Sequence, residues 1–309
     1  MPIVPSDNCC PLCGSGSPRS LESIPGARIN AAYRRSFDID AGVAAIALDY
    51  LACTHCGLCY FAPPADGDAR LYEQLQRFDW YYASDKPEYA IAARYLPAEG
   101  PVLEVGSGKA AFAGLAGRAR YVGLEFNDAA IARAGADGIT LLKEPIEVHA
   151  RSHSGHYAAV VSFQVLEHVR EPSAFIGGCV GALAPGGTLI LAVPDHEGLC
   201  GIAQNNILDM PPHHVSHWSS RTLVHVAQQF GLNMLVIERE PVAPIHVEWA
   251  RRSVIEQKLR GWFGLRPSLL DTSLASRVVG RTAATIARRF PASVDSLSGH
   301  TIVGCFRKR

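Results

Sequence analysis

From Pro101 onward, short apolar runs alternate with stretches in which apolar positions recur at helical spacing. Seven runs read as strands, at 102–105, 121–124, 139–142, 158–163, 188–193, 232–237 and 300–306. They are too uniformly apolar to have one wet face, which predicts a mostly parallel sheet covered by helices on both sides, a doubly wound α/β arrangement. Between the sixth and seventh runs, about 242–297, the alternation breaks, and two helices are predicted around 247–263 and 274–290. Upstream, Leu71, Leu75, Phe78 and Tyr82, then Tyr89, Ala92 and Leu96, fall near helical spacing and predict one or two connecting helices over 70–96. The first 70 residues carry few helical patterns and strand-like pieces such as 43–51.

Composition narrows this picture. At 309 residues the chain exceeds the roughly 250–300 at which single cores stop growing, so one main domain with smaller attachments is expected, divided as 1–70 and 71–309. The 29 basic and 29 acidic residues cancel, leaving no global field for nucleic acid. No apolar run approaches the roughly 20 residues that span a bilayer. The opening MPIVPSDNCC lacks the basic start and apolar stretch of a secretory signal, so a cytoplasmic location is the expectation. Nine cysteines there read as thiols or metal ligands before disulfides.

The strand at 102–105 runs into Gly106-Ser107-Gly108 and then a helix. Gly106 and Gly108 permit a tight turn and close approach of backbone to a ligand, although two such glycines also make a plain turn. The second strand ends in Glu125, about 20 positions on, where a carboxylate accepts both hydroxyls of a ribose; a solvated strand-end acid is the bland alternative. Phe126 follows, as a flank for an adenine ring or as packing. The fourth strand ends at the same edge in Glu167-His168, and Leu183-Ala-Pro-Gly-Gly187 is predicted to stop a helix and turn into the fifth strand.

In this order, EVGSG, the acid of GLEF, FQVLEHV and LAPGG resemble the class I S-adenosylmethionine-dependent methyltransferases over about 88–308. One departure is Ala110 where a third glycine is common. The resemblance implies a Rossmann-like seven-stranded, mostly parallel sheet with S-adenosylmethionine as cofactor. It places Glu104, Gly106, Ser107 and Gly108 about the methionine end, Glu125 at the ribose, Phe163 and Gln164 near the methionine portion, and Glu144 at the adenine side. Tyr81 and Tyr82 stand where related enzymes often carry aromatics that close over cofactor or acceptor, and packing of the connecting helix explains them equally well.

Cys10-Pro-Leu-Cys13-Gly and Cys53-Thr-His-Cys56-Gly are two C-x-x-C-G turns. Four thiolates suit tetrahedral zinc, which predicts a closed, structural zinc-ribbon-like module; a redox dithiol or buried thiols are the alternatives. Cys9 and Cys59 crowd the register, and the glycines after Cys13 and Cys56 favour the chosen four. The layout resembles that of zinc-containing sugar C-methyltransferases.

The acceptor is expected beside Met210-Pro-Pro-His-His-Val-Ser-His217, a histidine-rich loop just before a helix capped by Ser219 or Ser220. Histidines titrate near neutrality, so His213, His214 and His217 are the candidate catalytic bases, with capping or packing as the alternative for each. The segment 246–291 carries nine Lys or Arg against Glu248, Glu256 and Asp271. It reads as a lid over an anionic acceptor, an amphipathic contact with a membrane surface, or simply helices with a solvated basic face. The function expected is methyl transfer to a small molecule such as a sugar or nucleotide sugar, on oxygen first and carbon second; the alternative is a catalytically silent cofactor-binding scaffold.

Overall fold

The computed structural model describes residues 9–75, 77–78, 86–290 and 293–309. Tyr81 and Tyr82 lie outside the described residues. The chain opens with β1 (Pro18–Pro25), α1 (Gly26–Phe37), β2 (Ala47–Cys53) and β3 (Cys59–Ala62), followed by the connecting helices α2 (Ala69–Leu75) and α3 (Pro87–Ala93). The strand expected at 43–51 begins later, at Ala47, because Val43 and Ile46 close a turn onto the Gly26 backbone.

Next come β4 (Val102–Val105), α4 (Ala113–Ala116), β5 (Tyr121–Leu124), α5 (Asp128–Ala136), β6 (Thr140–Leu142), α6 (Ile146–Ser152), β7 (Tyr157–Phe163), α7 (Pro172–Ala182) and β8 (Leu183–Pro194). The chain ends with α8 (Leu199–Ile202), β9 (Ser216–His217), α9 (Ser220–Gln229), β10 (Leu232–Pro241), α10 (Val247–Trp262), α11 (Leu274–Arg289) and β11 (Ser298–Lys308). Seven strands form one sheet in the order β10-β11-β8-β7-β4-β5-β6. Strands β6, β5, β4, β7 and β8 are mutually parallel, and β11 runs antiparallel to both β8 and β10. Strand order reverses between β4 and β7, and in such sheets ligands bind outside the carboxyl ends at that switch.

Alternation within the apolar strands explains how both faces are filled. Leu103, Val160, Leu189 and Leu191 pack with α7 and α9, while Val102, Ala159, Val161 and Ile190 pack with α3, α4 and α5. The LAPGG segment is part of β8 rather than a turn before it: Tyr157 pairs with Leu183, and a register shift absorbs the extra residues before Ala159 pairs with Thr188.

The N-terminal strands form a second sheet in the order β1-β2-β3-β9. Its last strand comes from the histidine loop, with Cys59 opposite His217 and Tyr60 opposite Ser216. Cys10, Leu12, Cys53, Cys56 and Leu58 share one buried cluster with Trp218, Leu223 and Val226. Helix α9 grips the cysteine turns directly: Arg221 donates to the carbonyls of Thr54 (2.7 Å) and His55 (2.9 Å), and Gln229 donates to that of Leu12 (2.8 Å).

Helices α10 and α11 pack through Ile255, Ala283 and Ala287. Arg260, one of the basic residues there, is buried and donates to Asp271 and Ser276 at 3.0 Å each. Among the described residues, no helix is long and apolar enough to cross a membrane.

Candidate active site

A cavity of about 1020 Å³ opens at the carboxyl ends of β4, β5 and β7. That is at the upper end of the roughly 300–1,000 Å³ usual for ligand sites, room for more than one small molecule. One half lies over the glycine turn. Gly106 and Gly108 take φ of 76° and 52°, and a Cβ on Gly106 would stand 2.3 Å from Val165 Cγ2, so the turn excludes a side chain there. Ala110 adopts the same left-handed region at φ 54°, at a cost of about 1 kcal/mol.

Glu125, just past β5, accepts the N–H groups of Gly108 (2.7 Å), Phe126 (2.8 Å) and Asn127 (2.9 Å), which pins its carboxylate at the cavity wall. Phe126 is 61% exposed at the rim, so it is not core packing. Glu104 is buried and accepts the Tyr121 hydroxyl; burial pushes its carboxyl up to about 8. Ser107 is buried in the turn beside it. Phe163 packs against Tyr89 and Phe112 at 4.8 Å each, and Gln164, at φ 56°, donates to Glu88 (3.3 Å) and Thr301 (3.1 Å).

The other half is walled by Tyr72, Glu167, His168, Asn206, His213, His214, His246, Trp249 and His300. His168 donates from Nδ1 to the His213 carbonyl (2.5 Å), His213 from Nδ1 to that of Leu208 (2.8 Å), and His214 from Nδ1 to the Asp209 carboxylate (2.8 Å). Burial lowers all three imidazoles, His168 to about 4 and His213 and His214 well below the ordinary value, so they are neutral at pH 7. Glu167 is also buried, neither carboxylate oxygen has a hydrogen-bond partner, and burial raises it to about 8.

Residues 73–237, more than half of the chain, match the family described as Methyltransferase domain. The chain belongs to this methyltransferase family. Its fold resembles a SAM-dependent methyltransferase from Archaeoglobus fulgidus at TM-score 0.51 and 14% identity, covering 78% of this chain and 100% of that one. A SAM-dependent methyltransferase from Thermotoga maritima aligns at TM-score 0.50 and 16% identity, over 78% and 97%. In sequence, the chain is 30% identical over 78 residues to the ubiquinone biosynthesis O-methyltransferase of Escherichia coli O9:H4 (strain HS), which is 24% of this chain and 32% of that protein. It is 40% identical over 48 residues to the enzyme of the same name from Psychrobacter cryohalolentis, 16% and 19%. The methyltransferase thus spans a third or less of the length of these curated relatives.

Within the methyltransferase, several residues singled out from the sequence lie elsewhere. Glu144 does not line the cavity: it accepts from His149 Nδ1 at 2.7 Å, and Lys143, paired with Asp128 at 2.6 Å, stands at the wall instead. His217 does not line it either. As part of β9 it donates from Nε2 to the Asp209 carbonyl and accepts from Tyr50 at Nδ1, both at 2.8 Å, so both ring nitrogens are used in holding the loop. None of the nine basic residues of the α10–α11 segment lines the cavity, which takes His246 and Trp249 from there. The basic residues therefore do not wall this cavity, and two of them pair with acids of the same segment, Arg252 with Glu256 (3.7 Å) and Arg260 with Asp271 (3.0 Å).

Sequence reasoning passed over Glu88, Asp209 and His300. Glu88 is buried against Gln164, and Asp209 accepts from two loop histidines through its side chain and backbone. Their signal was weak: each is an isolated polar residue in an apolar or loop setting, and only the folded chain brings His300 to the cavity wall and sets Glu88 and Asp209 behind Gln164 and His214.

At the far side of α9, the Sγ atoms of Cys10, Cys13, Cys53 and Cys56 lie within 4.8 Å of one another, with Cys10–Cys56 and Cys13–Cys53 at 3.5 Å. Tetrahedral zinc with bonds near 2.3 Å needs about 3.8 Å between sulfurs, so the four fit the ion. Cys9 and Cys59 are outside the group.

Proposed function

We propose that this enzyme methylates an oxygen atom of a small polar acceptor, with the cofactor over the glycine turn and the acceptor against the histidine wall. The carrying observation is the single cavity that reaches from Glu125 and Gly108 to His213 and His214. S-adenosylmethionine supplies an electrophilic methyl group on a good leaving group, so alignment supplies much of the rate.

In this reading Glu125 takes the ribose hydroxyls, and Phe126 flanks the base. Glu104, Gly106, Ser107, Gly108, Phe163 and Gln164 surround the methionine end, where the cationic cofactor offsets the cost of ionising buried Glu104. His213 and His214, with His168 beside them, meet the acceptor oxygen and promote loss of its proton; His217 is a positioning residue for the loop. The four cysteines hold a structural zinc that fixes the N-terminal sheet. The acceptor class is a sugar, nucleotide sugar or related hydroxylated metabolite, since the wall offers imidazole, carboxyl and amide groups beside Tyr72 and Trp249.

The test is incubation of the purified protein with methyl-labelled S-adenosylmethionine and a metabolite extract. Label should enter an alkali-stable, low-mass product, and His214→Ala should abolish this with cofactor binding intact. Cofactor binding without any transfer would favour the silent scaffold.

A further inference from the structure

Three imidazoles converge at the acceptor wall. Backbone carbonyls and a carboxylate only accept hydrogen bonds, so the contacts of His168, His213 and His214 fix the proton of each ring on Nδ1 and leave the lone pair on Nε2. One ring nitrogen of each lies within 4.8 Å of one from both others. The rings meet closely, with His213 and His214 stacked at 4.6 Å and His168 edge-on to them at 4.5 and 4.8 Å.

An Nδ1–H held by a carbonyl or carboxylate while Nε2 points inward is the arrangement that orients imidazoles toward a metal ion. Independently, Glu167 stands beside them buried, with both oxygens unpartnered, and its Oε1 is 3.8 Å from His168 Nε2. A buried carboxylate without a partner is costly, and a cation next to it removes that cost.

We propose that His168, His213 and His214 bind a divalent transition-metal ion of the zinc or iron(II) class through their Nε2 atoms, with Glu167 balancing its charge. This rests on the reading of this wall as the acceptor site and deepens it. Tetrahedral coordination at about 2.0–2.1 Å sets ligating nitrogens roughly 3.3 Å apart, and one nitrogen of each ring already lies within 4.8 Å of the others. Three protein nitrogens leave coordination positions open, unlike the four-thiolate group, and an acceptor oxygen takes one of them. Coordination acidifies its O–H. The proton passes to Glu167, and the oxygen attacks the methyl carbon as the carbon–sulfur bond breaks and its electron pair returns to sulfur.

The neighbouring group of His196, Asp209 and His217 is no such site, because both nitrogens of His217 are already hydrogen-bonded within the protein.

The test uses the full-length protein, freed of metal and titrated with cobalt(II). Two equivalents are expected: one with strong thiolate charge-transfer absorption, and one with only weak ligand-field bands. His168→Gln and His214→Gln should each lose the second equivalent and keep the first. X-ray absorption on the doubly loaded native protein, which needs no variant, should show an imidazole-rich shell in addition to a sulfur shell. One equivalent with sulfur alone, or a second equivalent that survives both substitutions, overturns the proposal. Calorimetric binding of S-adenosylmethionine, measured on the same samples, separates this outcome from failure of the methyltransferase reading, because the cofactor is assigned to the glycine turn and Glu125 rather than to the three histidines.

Discussion

Replacing Glu125 by Ala offers a quantitative test of the cofactor half. In the structure its carboxylate holds three backbone N–H groups, one of them from Gly108 in the glycine turn, so it anchors the turn as well as facing the cavity. A ribose diol would add two charge-assisted hydrogen bonds, worth about 1.5–3 kcal/mol each when both partners are well placed. The carboxylate already has acceptor capacity committed to the N–H groups, which reduces the gain. A net loss of about 2–3 kcal/mol is expected, a rise in Kd of roughly 30- to 150-fold. Calorimetric titration with S-adenosylmethionine measures it, with Glu144→Ala as the control carboxylate that points away from the cavity and should leave Kd unchanged. A change of less than about threefold in Glu125→Ala, with the thermal midpoint preserved, would refute the ribose assignment. A fall in affinity matched by collapse of the thermal midpoint would instead trace to the turn, and Glu125→Gln, which keeps an acceptor oxygen, separates the two.

Four further outcomes follow from particular contacts. Burial raises Glu104 to about 8, so it is largely protonated at pH 7 in the free enzyme, and a cationic cofactor beside it should expel that proton; calorimetry in buffers of differing ionisation enthalpy should show proton release that vanishes in Glu104→Gln. The same shift has a stability sign: the benefit of the protonated form is present below the unfolded value near 4.5 and is lost as pH rises through about 8, so the thermal midpoint of the free enzyme should fall across that window and less so in Glu104→Gln. Gly106→Ala combines positive φ with a Cβ 2.3 Å from Val165, and should destabilise by about 1–3 kcal/mol in chemical denaturation while weakening cofactor binding; unchanged values would mean the turn adjusts freely. Trp218, fully buried where the two sheets meet, should cost about 3–5 kcal/mol when replaced by Ala, read from urea unfolding, and a loss under 1 kcal/mol would show that this junction is loosely packed.

The central sheet was legible because β4, β7 and β8 carry apolar runs buried on both faces, and Pro101 and Gly106 bound the first of them. β4 and β5 start and stop where the apolar runs do, and α10 begins at the expected residue. The start of β8 was not, since Leu183-Ala-Pro-Gly-Gly187 has turn chemistry yet is held extended by the neighbouring strand through a register shift. β9 was invisible: two residues have no periodicity, and their strand character comes wholly from pairing with β3, more than 150 positions away. In the site, the glycine turn and Glu125 were readable from local spacing. Glu144 was misplaced because a strand-end acid has no sequence mark that tells it whether a nearby histidine will claim it, as His149 does. The separate fates of His213, His214 and His217 depended on Asp209 and Tyr50, whose contacts no short motif encodes.

The shared strand pair β3–β9 makes the cysteine turns and the histidine loop parts of one mechanical unit. On the proposed zinc reading, a chelator that strips the cysteines should therefore mimic an acceptor-site mutation, leaving cofactor affinity largely intact while acceptor turnover fails. For the same reason, the first 70 residues cannot be trimmed away to make a minimal catalyst, and a chimaera that borrows another enzyme's acceptor loop must import the matching N-terminal sheet with it.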